Sequence, residues 1–317
     1  MRTEPTVRQG MRGTTVKRSL GRRLYNYRQL YVLAAPGLLF YLIFKIMPMW
    51  GLSLAFVDYS ARLGVFGSPF MGLKNFQDFF GNRFFPMMLR NTLTFSGMNL
   101  LLYFPIPILL ALLINEAGSV RFRRMVQTLV YMPHFLSWVV VTGLTFFLFS
   151  TDIGLVNKII LQSGGKVKSF MTDKALFKWI ILGQNIWKEA GWGTIVFLAA
   201  ITQIDPGMYE AATIDGAKRF QQILYITLPS IVPTIITLFI IRLGSALDVS
   251  FEQVLLMKNA LVRDAAEVFD TYAYYVGIER GNFSVAVTVN LFKGFISMVL
   301  VFLSNRAIKA TGQEGIY

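Results

Sequence analysis

Residues 210–229 read EAATIDGAKRFQQILYITLP. Glu210, Asp215, Lys218, Arg219, Gln221 and Gln222 stand here between two long, mainly apolar runs, 176–202 and 229–247. Ala211, Ala212, Gly216 and Ala217 keep the surface of the segment shallow. About 20 mainly apolar residues cross a bilayer as a helix. Two such runs joined by one short polar stretch place that stretch at a membrane surface, as a hairpin between spans.

The rest of the chain agrees. Its 317 residues are 54% hydrophobic and only 15% charged, with 28 Phe, which is too apolar for an ordinary soluble domain. Apolar runs at 31–57, 92–114, 125–149, 176–202, 229–247 and 284–304 are each long enough to span. The predicted fold class is therefore all-α, a polytopic membrane helical bundle with six transmembrane helices. Pro105, Pro107, Pro133 and Pro233 inside these runs predict local kinks. The first run is too long for a signal-peptide core and reads as a retained span. There are no cysteines to form disulfides.

A net charge of +14 raises nucleic acid as a partner, but its distribution argues for topology instead. With the N-terminus cytoplasmic, segments 1–30, 115–124, 203–225 and 305–317 hold 15 Lys and Arg in 76 positions. Segments 51–90, 150–174 and 248–284 hold 11 in about 100 positions. That asymmetry is the positive-inside pattern, with both termini cytoplasmic. Residues 1–24 read as a basic cytoplasmic tail touching anionic lipid, and 25–317 as the transmembrane domain. A short amphipathic helix is expected around Leu73–Phe80 in the first outer loop.

Within the hairpin, 203–228, the helix boundaries are written in the residues. Asp205 is a capping residue and Pro206 suits the first helical position, where its missing N–H had no partner. Gly216 is placed to end that helix in a left-handed turn. A second short helix is expected over Ala217–Tyr225, leading to Pro229 at the start of the fifth span. Glu210 lies in the N-terminal half, where the helix dipole favours an anion.

The spacing Glu210-Ala211-Ala212, Gly216, Ile226, Leu228-Pro229 resembles the cytoplasmic signature of permease subunits of binding-protein-dependent ABC importers, with every position filled. In that family the short helix rests in a cleft of an ATP-binding subunit and transmits its closure. The resemblance implies that Tyr209 to Asp215 form the inserted helix, that Gly216 is the turn, and that Leu228 and Pro229 anchor the hairpin to the fifth span. PMWGLSLAFVDY (48–59), MGLKNF (71–76), QTLVYMPHFLSW (127–138), IWKEAGW (186–192) and EGIY (314–317) look like carbohydrate-uptake permeases, type I importers. They are most like the branch serving oligosaccharides of pectin, rhamnogalacturonan or alginate type. Asp248, charged where a neutral polar residue is expected, departs from that pattern.

The resemblance further implies a set of partners. These are a second homologous permease subunit, two ATP-binding subunits carrying ATP and Mg, an extracytoplasmic sugar-binding protein and the oligosaccharide. The location it implies is the bacterial cytoplasmic (inner) membrane. This chain itself would bind no cofactor or metal.

Polar residues inside spans are costly and mark a cavity or a partner. In the fourth span Asn185, Glu189 and Trp192 fall on one helical stripe, accompanied by Gly183, Gln184, Trp187, Lys188, Gly191 and Gly193. Asn290, Lys293 and Ser297 form another stripe in the sixth span, and Arg242 sits in the fifth. Sugars need hydroxyl partners and aromatic faces, and acidic sugars need cations. Asn185, Trp187, Lys188, Glu189, Trp192, Arg242, Asn290 and Lys293 are the expected substrate path. The same stripes would also serve as interhelical glue, with Glu189 pairing with a neighbouring Lys. Lys45 reads as a snorkelling residue. His134, the only histidine, reads as a packing or interface residue.

A separate motor is consistent with the absence of a GxxxxGK[ST] phosphate loop. The alternative is a secondary transporter or channel for a polar solute, which favours an inverted repeat or a chain of intramembrane carboxylates. No enzyme constellation is visible among one His and no Cys.

Overall fold

The computed structural model describes residues 27–310 together with Gly312 and Gly315. The basic tail at 1–24 lies outside these residues, as does the EGIY ending apart from Gly315. The elements that matter run in chain order as Arg28–Phe56 (α1), Lys74–Phe80 (α2), Phe85–Glu116 (α3), Val120–Phe135 (α4), Trp138–Phe149 (α5), Lys174–Ile201 (α6), Pro206–Ile214 (α7), Arg219–Gly244 (α8), Phe251–Met257 (α9), Phe269–Tyr274 (α10) and Phe283–Ala310 (α11). Regular structure among the described residues is helical, apart from one isolated bridge between Val57 and Phe70. The chain divides into two units at Leu52, and the sites described below belong to the second, Ser53–Tyr317. α2 is the short helix expected around Leu73–Phe80.

By length and apolarity α1, α3, α8 and α11 can each cross a membrane, and α4 with α5 makes a fifth crossing if the pair counts as one span. The kink expected at Pro133 in the third span is a sharper break than a local bend, 102° between Phe135 and Trp138. Pro133 has no N–H to continue the ladder, and Leu136 turns extended. Ser137 then starts a new helix by accepting the Val140 N–H. These criteria pick out four or five spans and do not reach the expected count of six. α6 accounts for the difference. Its 28 residues span about 42 Å, but Gln184, Asn185, Lys188 and Glu189 at its middle dilute its apolar character.

Three π-helical turns share one cause. Leu42–Ile46, Asn99–Tyr103 and Ile223–Thr227 each end one residue before an X-Pro peptide, at Pro48, Pro105 and Pro229. A proline ring clashes with the carbonyl four residues back. Widening the preceding turn, so that Phe104 N–H reaches Asn99 O at 3.0 Å, relieves that clash without breaking the helix. The second hairpin helix is corrected for this reason. It does not stop at Tyr225 but runs through the π turn into the span, giving the continuous α8.

Packing in the second unit includes one aromatic cluster and one mainly aliphatic cluster near the sites. Phe79, Phe85, Phe269 and Phe292 meet largely edge-to-face and join α2, α3, α10 and α11. Phe177 and Ile181 of α6 pack with Phe95, Val254, Met257 and Val262. Asn91, fully buried on α3, fastens the loop before α10 by donating to Asp264 O (2.8 Å) and Glu267 O (2.9 Å).

Candidate functional site

The hairpin is built by its caps. Asp205 accepts the Gly207 N–H at 2.9 Å, Pro206 opens α7, and Gly216 takes φ +79°, a left-handed conformation that favours glycine. A residue with a Cβ at Gly216 is strained by the backbone alone. Tyr209 is half-buried because its hydroxyl meets Thr227 Oγ1 at 2.9 Å, tying α7 to the π turn of α8. Gln222 Nε2 donates to Thr213 Oγ1 (3.0 Å) and to Ala217 O (3.3 Å). The two arms of the hairpin are thus joined by side chains, and the hairpin is a stiff unit.

Its outer surface is open. Glu210, Ala211, Asp215, Gly216 and Pro229 are exposed, while Ala212 and Leu228 are partly covered. Ile214 is 87% exposed and Phe220 74%. Large apolar side chains this exposed mark a surface that meets another protein or the membrane. A cleft of about 620 Å³ runs beside it, lined by Asn115, Glu116, Thr213, Lys218 and Arg219 among others. Arg219 reaches Glu116 at the end of α3 (3.3 Å).

The polar stripe of α6 lies against the break between α4 and α5. Gly191 allows this approach, since a Cβ there would overlap the Val130 carbonyl. Lys188, 6% exposed, donates to His134 O at 2.7 Å and so caps the end of α4 with a cation, where the helix dipole favours one. Glu189 bridges the pair, with Oε1 3.0 Å from Lys188 Nζ and Oε2 2.8 Å from His134 Nδ1. His134 also stacks flat on Trp192, centroids 4.5 Å apart. His134 is therefore a bracing residue, and Lys188 and Glu189 are partners of each other. Trp187 and Trp192 each keep about half of their surface exposed, at 48% and 49%.

The four remaining expected path residues have different surroundings. Asn185 is buried and donates to Asn99 Oδ1 at 2.7 Å. Arg242 lies over the Tyr103 ring at 5.1 Å, and Asn290 is exposed. Lys293, 5% exposed, pairs with Asp248 (2.7 Å) and with Asp270. That pairing accounts for the unexpected charge at Asp248: one buried ammonium is held by two carboxylates. Sequence reasoning missed Asp270, which lies 23 residues from Lys293 in the first turn of the six-residue helix α10, too short to show a period. It also missed Gln253, buried on α9, which donates to Gln184 Oε1 (2.8 Å) and Ile181 O (2.8 Å).

With this geometry in place, comparisons carry weight. The family profile described as "Binding-protein-dependent transport system inner membrane component" matches residues 103–313. The Bacillus subtilis (strain 168) polygalacturonan/rhamnogalacturonan transport system permease protein YteP is 46% identical over 93% of this chain and 92% of its own. Protein LplB of the same organism is 48% identical over 91% of each. A chain in the crystal structure of a bacterial alginate ABC transporter, in complex with an alginate pentasaccharide-bound periplasmic protein, superposes with a TM-score of 0.86. It is 39% identical, and the match covers 94% of this chain and 100% of that one.

Proposed function

The chain belongs to the inner membrane components of binding-protein-dependent transport systems, and from that premise we propose how it works. It is a permease subunit of an ABC importer, a transport subunit rather than an enzyme. Its cargo is an oligosaccharide derived from an acidic polysaccharide, of the pectin, rhamnogalacturonan or alginate type, because one relative, YteP, and the superposing structure carry such cargo in their names. An extracytoplasmic binding protein delivers the sugar to the outer loops, as the periplasmic protein of the alginate complex supports.

The hairpin is the mechanical link. α7, with its caps Asp205 and Asp215, rests in a cleft of an ATP-binding subunit, with Tyr209, Glu210, Ala211 and Ala212 on the inserted helix. Closure of two such subunits around ATP and Mg moves the hairpin, and Leu228-Pro229 passes the movement to α8. A second permease subunit completes the path. Asn185, Trp187, Trp192, Arg242 and Asn290 line it, while Lys188, Glu189 and Lys293 hold its walls. Both termini face the cytoplasm. The observation that carries this reading is the side-chain-locked hairpin, which leaves Ile214 and Phe220 bare at the membrane surface.

The test is ATP hydrolysis by the purified complex with its co-purifying subunits. Binding protein is added with oligomers of galacturonate, rhamnogalacturonan or alginate. Stimulation by one acidic class supports the reading. A preparation that brings down no ATPase overturns it.

A further inference from the structure

Away from the hairpin and the α6 stripe, the segment between α9 and α11 encloses a cleft of about 390 Å³. That volume falls within the range of small-ligand sites, roughly 300–1,000 Å³. Its walls are Lys258, Asn259 and Arg263 on one side and Tyr274, Tyr275 and Glu279 on the other.

The charges here do not cancel. Glu267, 4% exposed, forms the anchor: Lys258 Nζ contacts both its oxygens (3.0 and 2.8 Å), Arg263 Nε lies at 3.3 Å, and Thr271 Oγ1 donates at 2.8 Å. Two cations therefore share one carboxylate on this wall; with Glu279 opposite and the Arg280 guanidinium over the Tyr275 ring (4.6 Å) also counted, three cations face two carboxylates and one positive charge is in surplus at the cleft. Arg263 uses only its Nε in hydrogen bonds among the described residues, and its side chain is 51% exposed, so its terminal nitrogens remain as open donors. Across the cleft, Tyr275 is held by Arg280, whose Nη2 donates to the phenol oxygen at 2.6 Å. Tyr274 leans on Phe251 at 5.2 Å. Glu279 is exposed and accepts no hydrogen bond among the described residues.

We propose that this cleft is a subsite for one uronate residue of an acidic oligosaccharide. Arg263 takes the carboxylate through its free nitrogens, Glu279 accepts from ring hydroxyls, and the two tyrosines offer aromatic edges. A simple anion would be attracted by Arg263 but repelled by Glu279. A neutral sugar would leave the surplus charge unanswered. A uronate satisfies both sides at once. The proposal rests on the importer reading and on the 248–284 segment facing outward.

The experiment uses the complex in nanodiscs of zwitterionic lipid, first without binding protein for sugar binding, then with it added for docking and ATPase stimulation. The probes are trigalacturonate and its carboxyl-reduced counterpart. Expected is tighter binding of the acid form, a preference that Arg263→Gln lowers about tenfold, the worth of one charge-assisted hydrogen bond. Tyr274→Ala should weaken both probes. Arg263→Lys, which keeps the charge but not the fork, should fall between, and it serves if the Gln variant unfolds. No preference in the wild type, or a preference unchanged in Arg263→Gln, overturns the proposal. So does a variant that loses binding-protein docking while keeping the sugar preference, since the cleft is then a protein contact. ATPase stimulation measured on the same preparation separates this failure from failure of the importer reading.

Discussion

Three glycines on α6 have unlike surroundings, and replacing each by alanine tests the helix break directly. A Cβ at Gly183 meets nothing within 4 Å. At Gly193 it would sit 3.1 Å from Pro107 Cγ, a contact that a small shift relieves. At Gly191 it would overlap the Val130 carbonyl and lie 2.6 Å from its carbon. Backbone cannot rotate away, so α4 and α6 must separate by at least about 0.8 Å to bring the carbonyl carbon to ordinary contact at 3.4 Å, and the nearer carbonyl oxygen demands more. That separation carries Lys188 Nζ···His134 O from 2.7 Å to at least about 3.5 Å, to or past the edge of a hydrogen bond. Overpacking costs roughly 1–3 kcal/mol, and any gain in helix propensity from Gly to Ala, about 1 kcal/mol in water, is common to all three variants. The difference between Gly191→Ala and Gly183→Ala therefore isolates the clash. Thermal unfolding of the detergent-purified complex should rank Gly183→Ala at or above wild type, Gly193→Ala slightly below, and Gly191→Ala lowest. Equal midpoints for Gly191→Ala and Gly183→Ala would refute the close approach of α6 to the α4 end.

Other expectations follow from the charge pairs. Lys188→Met should destabilise more than the Lys188→Met/Glu189→Gln double variant, because the single change leaves Glu189 without its cation; a thermal double-mutant cycle reads this coupling. Lys293→Ala leaves Asp248 and Asp270 facing each other, so abundance in the membrane should fall, and Asp270→Asn should partly restore it. Lys174 holds the Asp264 carboxyl below its usual value, mainly through their hydrogen bond. A depressed folded value stabilises above the ordinary carboxylate range and is lost as pH falls through the folded value. Asp264→Asn should therefore differ slightly from wild type in unfolding midpoint at pH 7 and converge with it in acid.

Legibility in the sequence followed the range of the interaction. Asp205-Pro206 and Gly216 act within one turn, so the first hairpin helix was readable to within a residue or two. The second helix was not, because the effect of Pro229 on the turn before it is to widen the helix rather than to end it. Pro133 announced a kink, but the 102° break needs Ser137 and the brace from α6 as well. Lys188 beside Glu189 was visible as a pair; that both would turn to His134, 54 and 55 residues away, was not. Asp270, Gln253 and the cleft around Arg263 lie in a segment whose shape is set by buried contacts to α3 and α6, which leave no period in the chain.

The central claim is that α7 docks on an ATP-binding subunit, and the cysteine-free chain offers a direct measurement. A photo-crosslinker is attached at Ala211→Cys, and at Ala260→Cys in the opposite region as a control, in the assembled complex. Expected is an adduct between the Ala211 position and the ATPase chain, absent from the Ala260 position. An Ala211 probe that captures no ATPase chain, or an Ala260 probe that captures it equally well, would contradict the claim.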